Sequence, residues 1–293
     1  MLKTVLTILI ALFTTSCHIT HQKRAPQSTK KQYQLIPYQE KIFWSDYDAL
    51  LKASAKAFYL KNSDRVFYLS YINYKKLSGK KSFQDIINSQ KSKLKSTQTP
   101  SETPSQIAFW INTYNFLVIS EIVNSYPIKS IKAIRYKEKK HLISGKFYSL
   151  NQIYKIALKY KDPRIIFALN SGAVSSPNIK LKSFNSQNLE LDLERQLQNN
   201  LLNPMIVDLE NNVFNEAQLN LNEIFKAFNS EDFKDLKIED FLKSKLQSDL
   251  KDFKRIKISK TTQLEINSKR ETSKVLKNIL ENNSKFKSSP ENY

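Results

Sequence analysis

The run IAFWINTYNFLVISEIVNSY, Ile107 to Tyr126, is the most apolar stretch in the interior of the chain. A helix of about 20 apolar residues is long enough to cross a bilayer. Asn112, Thr113, Asn115 and Ser120 interrupt this one. Buried amides and hydroxyls need hydrogen-bond partners, which protein supplies and hydrocarbon does not. The run therefore predicts a central helix buried in protein, with internal hydrogen bonds to its own polar groups. Everything else must wrap around that helix.

The wrapping is done almost without glycine. The chain has 293 residues, 40% of them hydrophobic and 11% aromatic, but only three glycines. That supports one substantial aromatic-rich core or two small ones. Turns must rely on Asn, Ser, Asp and Pro, whose short side chains hydrogen-bond the local backbone. No glycine-rich phosphate loop and no GxGxxG motif is present, so a standard nucleotide site is not expected. No cofactor or metal is expected either.

The first residues read as a targeting segment. Lys3 gives a positive start, and TVLTILIALF (Thr4 to Phe13) is too short to span a bilayer but suits a cleaved signal peptide. TTSC then ends at Cys17, the only cysteine in the chain. Small residues before a cysteine resemble the bacterial lipobox, although Thr14 stands where that pattern prefers Leu. Lipidation at Cys17 would leave the mature chain without a thiol, excluding disulfides, thiolate metal sites and a cysteine nucleophile. His18 is not the Asp that retains lipoproteins at the inner membrane. The expectation is an outer-membrane lipoprotein facing the periplasm or the cell surface, attached by its lipid.

The formal net charge is +20. Its lysines are spread along the chain, and no helix-turn-helix, zinc-finger or RNP-like pattern gathers them. With an export signal ahead of them they imply anionic lipid, an anionic envelope polymer or a protein partner, not nucleic acid.

Four segments follow: a signal peptide at 1–17, a polar basic tether at 18–41, a folded domain at 42–268 and a charged tail at 269–293. The tether's His18 and His21 are not expected to bind metal. Within the domain, FWSDYDALLKASAKAF places Phe43, Tyr47, Leu50, Leu51, Ala55 and Phe58 at helical spacing. VFYLSYINYKKL reads as extended and then helical, and SFQDIINSQKSKL as a helix after which KSTQTPSETPSQ forms a loop. HLISGKFYSL predicts a hairpin about Gly145, and Ser149 with Gln152 has capping-box spacing for the next helix. DPRIIFALN is a short buried strand or helix, leaning to strand because Ile165 and Ile166 are β-branched. NLELDLERQLQNNLL reads as an amphipathic helix and MIVDLENNVF as a hairpin about Asn211-Asn212. LNLNEIFKAF and IEDFLKSKL are further helices, RIKIS is a strand, and the tail holds one helix at Lys274 to Glu281 before disorder. The fold class is α+β or α/β, a single helix-rich domain with a small sheet.

Three stretches carry a family resemblance: AFWINTYNFLVI (Ala108 to Ile119), GKFYSLNQI (Gly145 to Ile153) and DPRIIFALNSGAVSSPNI (Asp162 to Ile179). They resemble the family known as domain of unknown function 547 (DUF547). Its hallmarks are A-F-W-I-N-x-Y-N, G-x-x-x-S-L, and D-P-R-x-x-F-A-L followed by a small-residue turn ending Ser-Cys-Pro. Weaker echoes extend the resemblance to roughly Phe43–Leu250. It implies a papain- or transglutaminase-like site in which an imidazole takes the proton of a cysteine thiol. This chain departs at each titratable position. Ser175-Ser176-Pro177 replaces Ser-Cys-Pro, Ile166 replaces the usual His, and Ile153-Tyr154-Lys155 replaces Ile-Glu-His. The resemblance thus implies a pseudoenzyme, with Asn112, Asn115, Asn170, Ser175 and Ser176 lining a cleft. The rival reading is a hydrolase or an acyl- or amide-transfer enzyme with Ser176 as nucleophile and His141 or Lys155 as base. A hydroxyl needs such a base, and no G-x-S-x-G or S-x-x-K motif provides one here.

The leader makes a direct prediction. A fatty-acid probe fed to the producing bacterium should label the wild-type protein and leave Cys17→Ala unlabelled; equal labelling of both would exclude lipidation at this cysteine.

Overall fold

In a computed structural model of the chain, the described residues are 34–62, 65–203, 205–211, 217–246, 254–258 and 286–289. Cys17, His18, His21, the leader, most of the tether and the expected helix at Lys274–Glu281 lie outside them. The described residues belong to one unit, Tyr33–Tyr293.

Helices α1 (Glu40–Phe43) and α2 (Ser45–Ser54) lead into an antiparallel hairpin of β1 (Ala55–Asn62) and β2 (Arg65–Ile72). The helical spacing of Ala55 and Phe58 is therefore misleading: the helix stops at Ser54, whose hydroxyl donates back to the Leu50 carbonyl at 2.7 Å. Helices α3 (Tyr74–Ser78) and α4 (Lys81–Ser96) follow, and then α5 (Thr103–Ser125). Every residue of α5 from Ala108 to Val123 is buried, so this is the central helix that the apolar run predicts. Among the described residues no helix is long and apolar enough to cross a membrane.

The hairpin β3 (His141–Ile143) and β4 (Lys146–Tyr148) turns through Ser144 and Gly145, both left-handed at φ 47° and 76°. Positive φ at both central residues matches the right-handed twist of a two-residue hairpin. Helix α6 (Leu150–Leu158) starts with both bonds of the capping box, Gln152 N–H to Ser149 Oγ and Ser149 N–H to Gln152 Oε1. Pro163–Ala168 is a 3-10 helix, not the strand that Ile165 and Ile166 favour. Pro163 sits in its first turn, and the Asp162 side chain caps it by accepting from Arg164 N–H at 2.9 Å. The same carboxylate pairs with the Arg164 guanidinium at 2.6 Å. Helix α7 (Leu189–Leu201) then precedes β5 (Val207–Asn211) and β6 (Ala217–Leu221), an antiparallel pair in which Asn211 faces Ala217. Their connection is longer than the expected Asn211-Asn212 turn. Glu223–Asn229 and Glu231–Phe233 are 3-10 helices, α8 spans Ile238–Lys245, and β7 (Arg255–Ile258) adds parallel to β6. Strand β8 (Phe286–Ser289), in the tail where disorder was expected, pairs with β1.

The architecture is a single α+β domain, helix-rich, with three small sheets among the described residues. The fold begins ahead of the expected boundary at residue 42. Ile36 N–H donates to the Ser96 carbonyl and its own carbonyl accepts from Gln98 N–H. Tyr38 packs on Phe43 and Phe109, with ring centroids at 5.0 and 5.6 Å.

Between the 3-10 helix and α7 runs a long irregular segment, Leu169 to Asn188, mostly buried. It has no ladder of its own, so side chains satisfy its backbone. The Asn112 amide pairs with both the N–H and the carbonyl of Phe184, at 2.9 Å each. The Asn115 amide bridges the Ala168 carbonyl and Asn170 N–H, at 2.9 and 2.8 Å. Asn200 accepts from Asn178 N–H, and Ser70 Oγ from Ile179 N–H. Asp48 accepts from Ser183 N–H at 2.7 Å, and Glu40 takes both the N–H and the hydroxyl of Ser186. In the other direction, Asn178 and Asn199 hydrogen-bond the outer edge of β2 at Tyr68 and Ser70.

Asn112→Ala would leave a buried N–H and a buried carbonyl unpaired, at roughly 1–3 kcal/mol per group. Urea titration should show a stability loss of that order with m unchanged. A variant as stable as wild type would mean that the amide does not hold the segment.

Candidate functional site

The sequence positions of interest meet at a turn. Asn170 closes it: Oδ1 accepts from Gly172 N–H at 2.7 Å while Nδ2 donates to the Pro177 carbonyl at 2.5 Å. Gly172 has φ of 79°, and a Cβ there would lie 2.4 Å from Ile122 Cδ1 and 3.2 Å from Val118 Cγ1. Two independent reasons, backbone conformation and contact with α5, thus reserve this position for glycine. Ser176 is 2% exposed. Its Oγ accepts from Ala173 N–H at 3.0 Å and shares a 2.5 Å hydrogen bond with Ser171 Oγ, while its N–H donates to the Ala173 carbonyl. The hydroxyl closes the turn on itself.

Beside the turn lies a cavity of about 610 Å³. Tyr154, Lys155 and Leu158 of α6 form one wall, Ile166 of the 3-10 helix and Leu169 the next, and Ser171 with Pro177 the side nearest the turn. The far wall comes from the two 3-10 helices after β6, with Glu223, Lys226, Glu231 and Asp232. That wall is held by aromatic packing: Phe225 on Phe167 at 5.5 Å and Phe228 on Phe241 at 5.1 Å. Two of the three departures from the family pattern, Tyr154-Lys155 and Ile166, therefore line one cleft, and the Ser-Ser-Pro turn reaches it through Pro177.

The cleft's chemistry is that of neutral phenols, apolar surface and flanking charge. Burial pushes the Tyr154 phenol up to about 12 and the Tyr114 phenol well above its ordinary value, so both are hydrogen-bond donors at neutral pH. The two rings lie 5.7 Å apart. Tyr136 OH donates to the Ser171 carbonyl at 2.6 Å and ties the turn to the chain ahead of β3. Among the described residues no group of three or more His, Cys, Asp or Glu is placed to hold a metal ion.

Asn112, Asn115, Asn170, Ser175 and Ser176, expected to line the cleft, are buried and are not among this cavity's walls. Asn115, Asn170 and Ser176 hold the turn from behind, because its backbone needs their short polar groups, and Asn112 holds Phe184 farther along. Of the two bases considered for Ser176, Lys155 faces the cleft and His141 lines a different cavity; neither hydrogen-bonds to the Ser176 hydroxyl. Tyr114 sits inside the A-F-W-I-N-x-Y-N stretch, so a signal for it was present. Glu223, Lys226, Glu231 and Asp232 carry none, since only the docking of their helices brings them to the cleft.

Ser176→Ala removes the acceptor for a buried N–H, that of Ala173, and should cost roughly 1–3 kcal/mol. Ser176→Cys keeps an acceptor, though a weaker one on a larger atom, and should lose less. Thermal unfolding of the two variants against wild type checks the order; an Ala variant as stable as wild type would remove the hydroxyl's role in the turn.

Residues 97–201 match the model of a family described as protein of unknown function, DUF547, and this span holds all three stretches of the resemblance. No curated protein and no solved structure matches the chain.

Proposed function

We propose that this is a lipid-anchored protein of the bacterial cell envelope whose cleft binds an envelope component or a partner protein without turning it over. The observation that carries the reading is the cleft wall itself. Tyr154, Lys155 and Ile166 stand around it where the family pattern has titratable Glu and His residues. The Ser176 hydroxyl next to it is occupied by Ala173 N–H and Ser171. A nucleophilic hydroxyl needs a base in hydrogen-bond reach, and the lysine on this wall makes no hydrogen bond to it. What remains suits recognition: apolar surface from Ile166 and Leu169, phenol donors, and charges of both signs at the edge. The leader and Cys17 support the anchoring, and the excess of lysine supports an anionic setting.

Two measurements test the reading. A fluorophosphonate probe should leave the folded wild-type protein unlabelled, because it reacts with activated serines; labelling lost in Ser176→Ala would establish a nucleophile and overturn the proposal. Ala227→Arg, at a half-buried position on the far wall, puts a charge into the cleft and should abolish complementation of a deletion strain while the protein stays folded and membrane-bound. Full complementation by that variant would show that the cleft is not the working surface.

A further inference from the structure

A second cavity, of about 520 Å³, lies between α4, α5 and the start of β3. Its polar walls are Asn88, Lys91, Ser92 and Lys95 of α4, Glu121 of α5, and Lys140 and His141. His141 is 5% exposed, and no group among the described residues hydrogen-bonds to its buried Nε2. Buried side-chain nitrogens rarely lack a partner, and the exceptions call for an explanation. The charges are also unbalanced. Glu121, the carboxylate on this wall, is taken by Lys140 at 2.5 Å. Lys91, half-buried on the same wall, has no carboxylate within ion-pair distance among the described residues. A half-buried ammonium with no ion-pair partner among the described residues and a buried imidazole whose Nε2 has none line one cavity, together with Ser92 and Asn88.

We propose that this cavity binds a phosphate group, carried by a small phosphomonoester or by the headgroup of an anionic lipid. One negative charge would complete the Lys91 ammonium. A tetrahedral oxyanion directs acceptor oxygens to several sides at once, which suits Ser92, Asn88 and His141 on different walls better than a planar carboxylate does. The cavity exceeds the bare ion and leaves room for the organic part. At its rim Leu142 pairs across the hairpin with Phe147, which is 61% exposed, so an apolar surface adjoins the polar pocket.

The electrostatics agree. Burial holds the His141 imidazole down at about 4, helped by Lys91 and Lys140 and opposed by Glu121 and Glu138. Burial also lowers the Lys91 ammonium. A bound anion favours the protonated form of both, so both should rise on binding.

The test uses the full-length protein in detergent at low salt. Calorimetric titration with glycerol 3-phosphate should show one site per chain, glycerol should give no heat, and Lys91→Met should weaken binding by about tenfold or more. NMR of histidine-labelled protein should show the His141 pKa rising with the ligand, a readout independent of any variant. Phosphatidylglycerol vesicles that displace glycerol 3-phosphate from wild type would assign the phosphate to lipid; failure to displace it would assign it to a soluble ester. Absence of binding at millimolar glycerol 3-phosphate, an unmoved His141, or unchanged affinity in a folded Lys91→Met protein would each overturn the proposal.

Discussion

The structure depends on one constraint: a long irregular segment, Leu169 to Asn188, is buried, and its peptide groups must be paired without a helix or a sheet. An unpaired buried N–H or carbonyl costs about as much as a lost hydrogen bond, and a folded domain tolerates few of them. Asparagine meets the need because its amide copies the donor and acceptor of a peptide group. The clamp of Asn112 on both backbone groups of Phe184 and that of Asn115 on Ala168 and Asn170 are peptide-like pairings made by side chains. They tie the segment to the central helix, and the turn, the cleft and the packing of α7 all follow from where it is tied.

The same constraint accounts for the shape of the site. The turn from Asn170 to Pro177 is closed by Asn170 and by the Ser176 hydroxyl, so these groups serve the backbone first. The cleft next to it presents what the turn and α6 leave over: phenols, an isoleucine and lysines. The departures at Tyr154, Lys155 and Ile166 meet on one surface, with the Ser176 turn behind it. The proposed binding function rests on this surface, a hydroxyl committed to a turn beside a wall of phenols, apolar side chains and lysines.

Helices were the most readable part of the chain. The apolar run about Asn112 and Asn115, the capping box at Ser149 and Gln152, and the hairpin at Gly145 all have local causes, and local causes are visible in local sequence. The misreadings are also physical. AKAFYLKN continues the helical spacing of α2, but β1 is set by its pairing with β2 and β8, which the helix pattern does not contain. DPRIIFAL is short enough that β-branching and apolar character fit strand or helix, and the Asp162 cap with Pro163 decided for a 3-10 turn. The roles of the asparagines were half visible: that they would bond backbone could be read, but that they sit behind the cleft instead of lining it could not.

By itself the sequence determined the central buried helix, a single helix-rich domain with a small sheet of α+β or α/β class, the reliance on Asn and Ser in place of glycine, and the positions that depart from the family pattern it resembles. These follow from side-chain periodicity and from which groups can satisfy a backbone. Only the tertiary structure decided that Tyr154, Lys155, Ile166 and the Ser176 turn share one cleft, that the helices after β6 close it, and that His141 belongs to a different cavity with Lys91 and Glu121. Those juxtapositions join residues far apart in the chain through packing of whole elements, and packing is a property of the assembled core that no local stretch encodes.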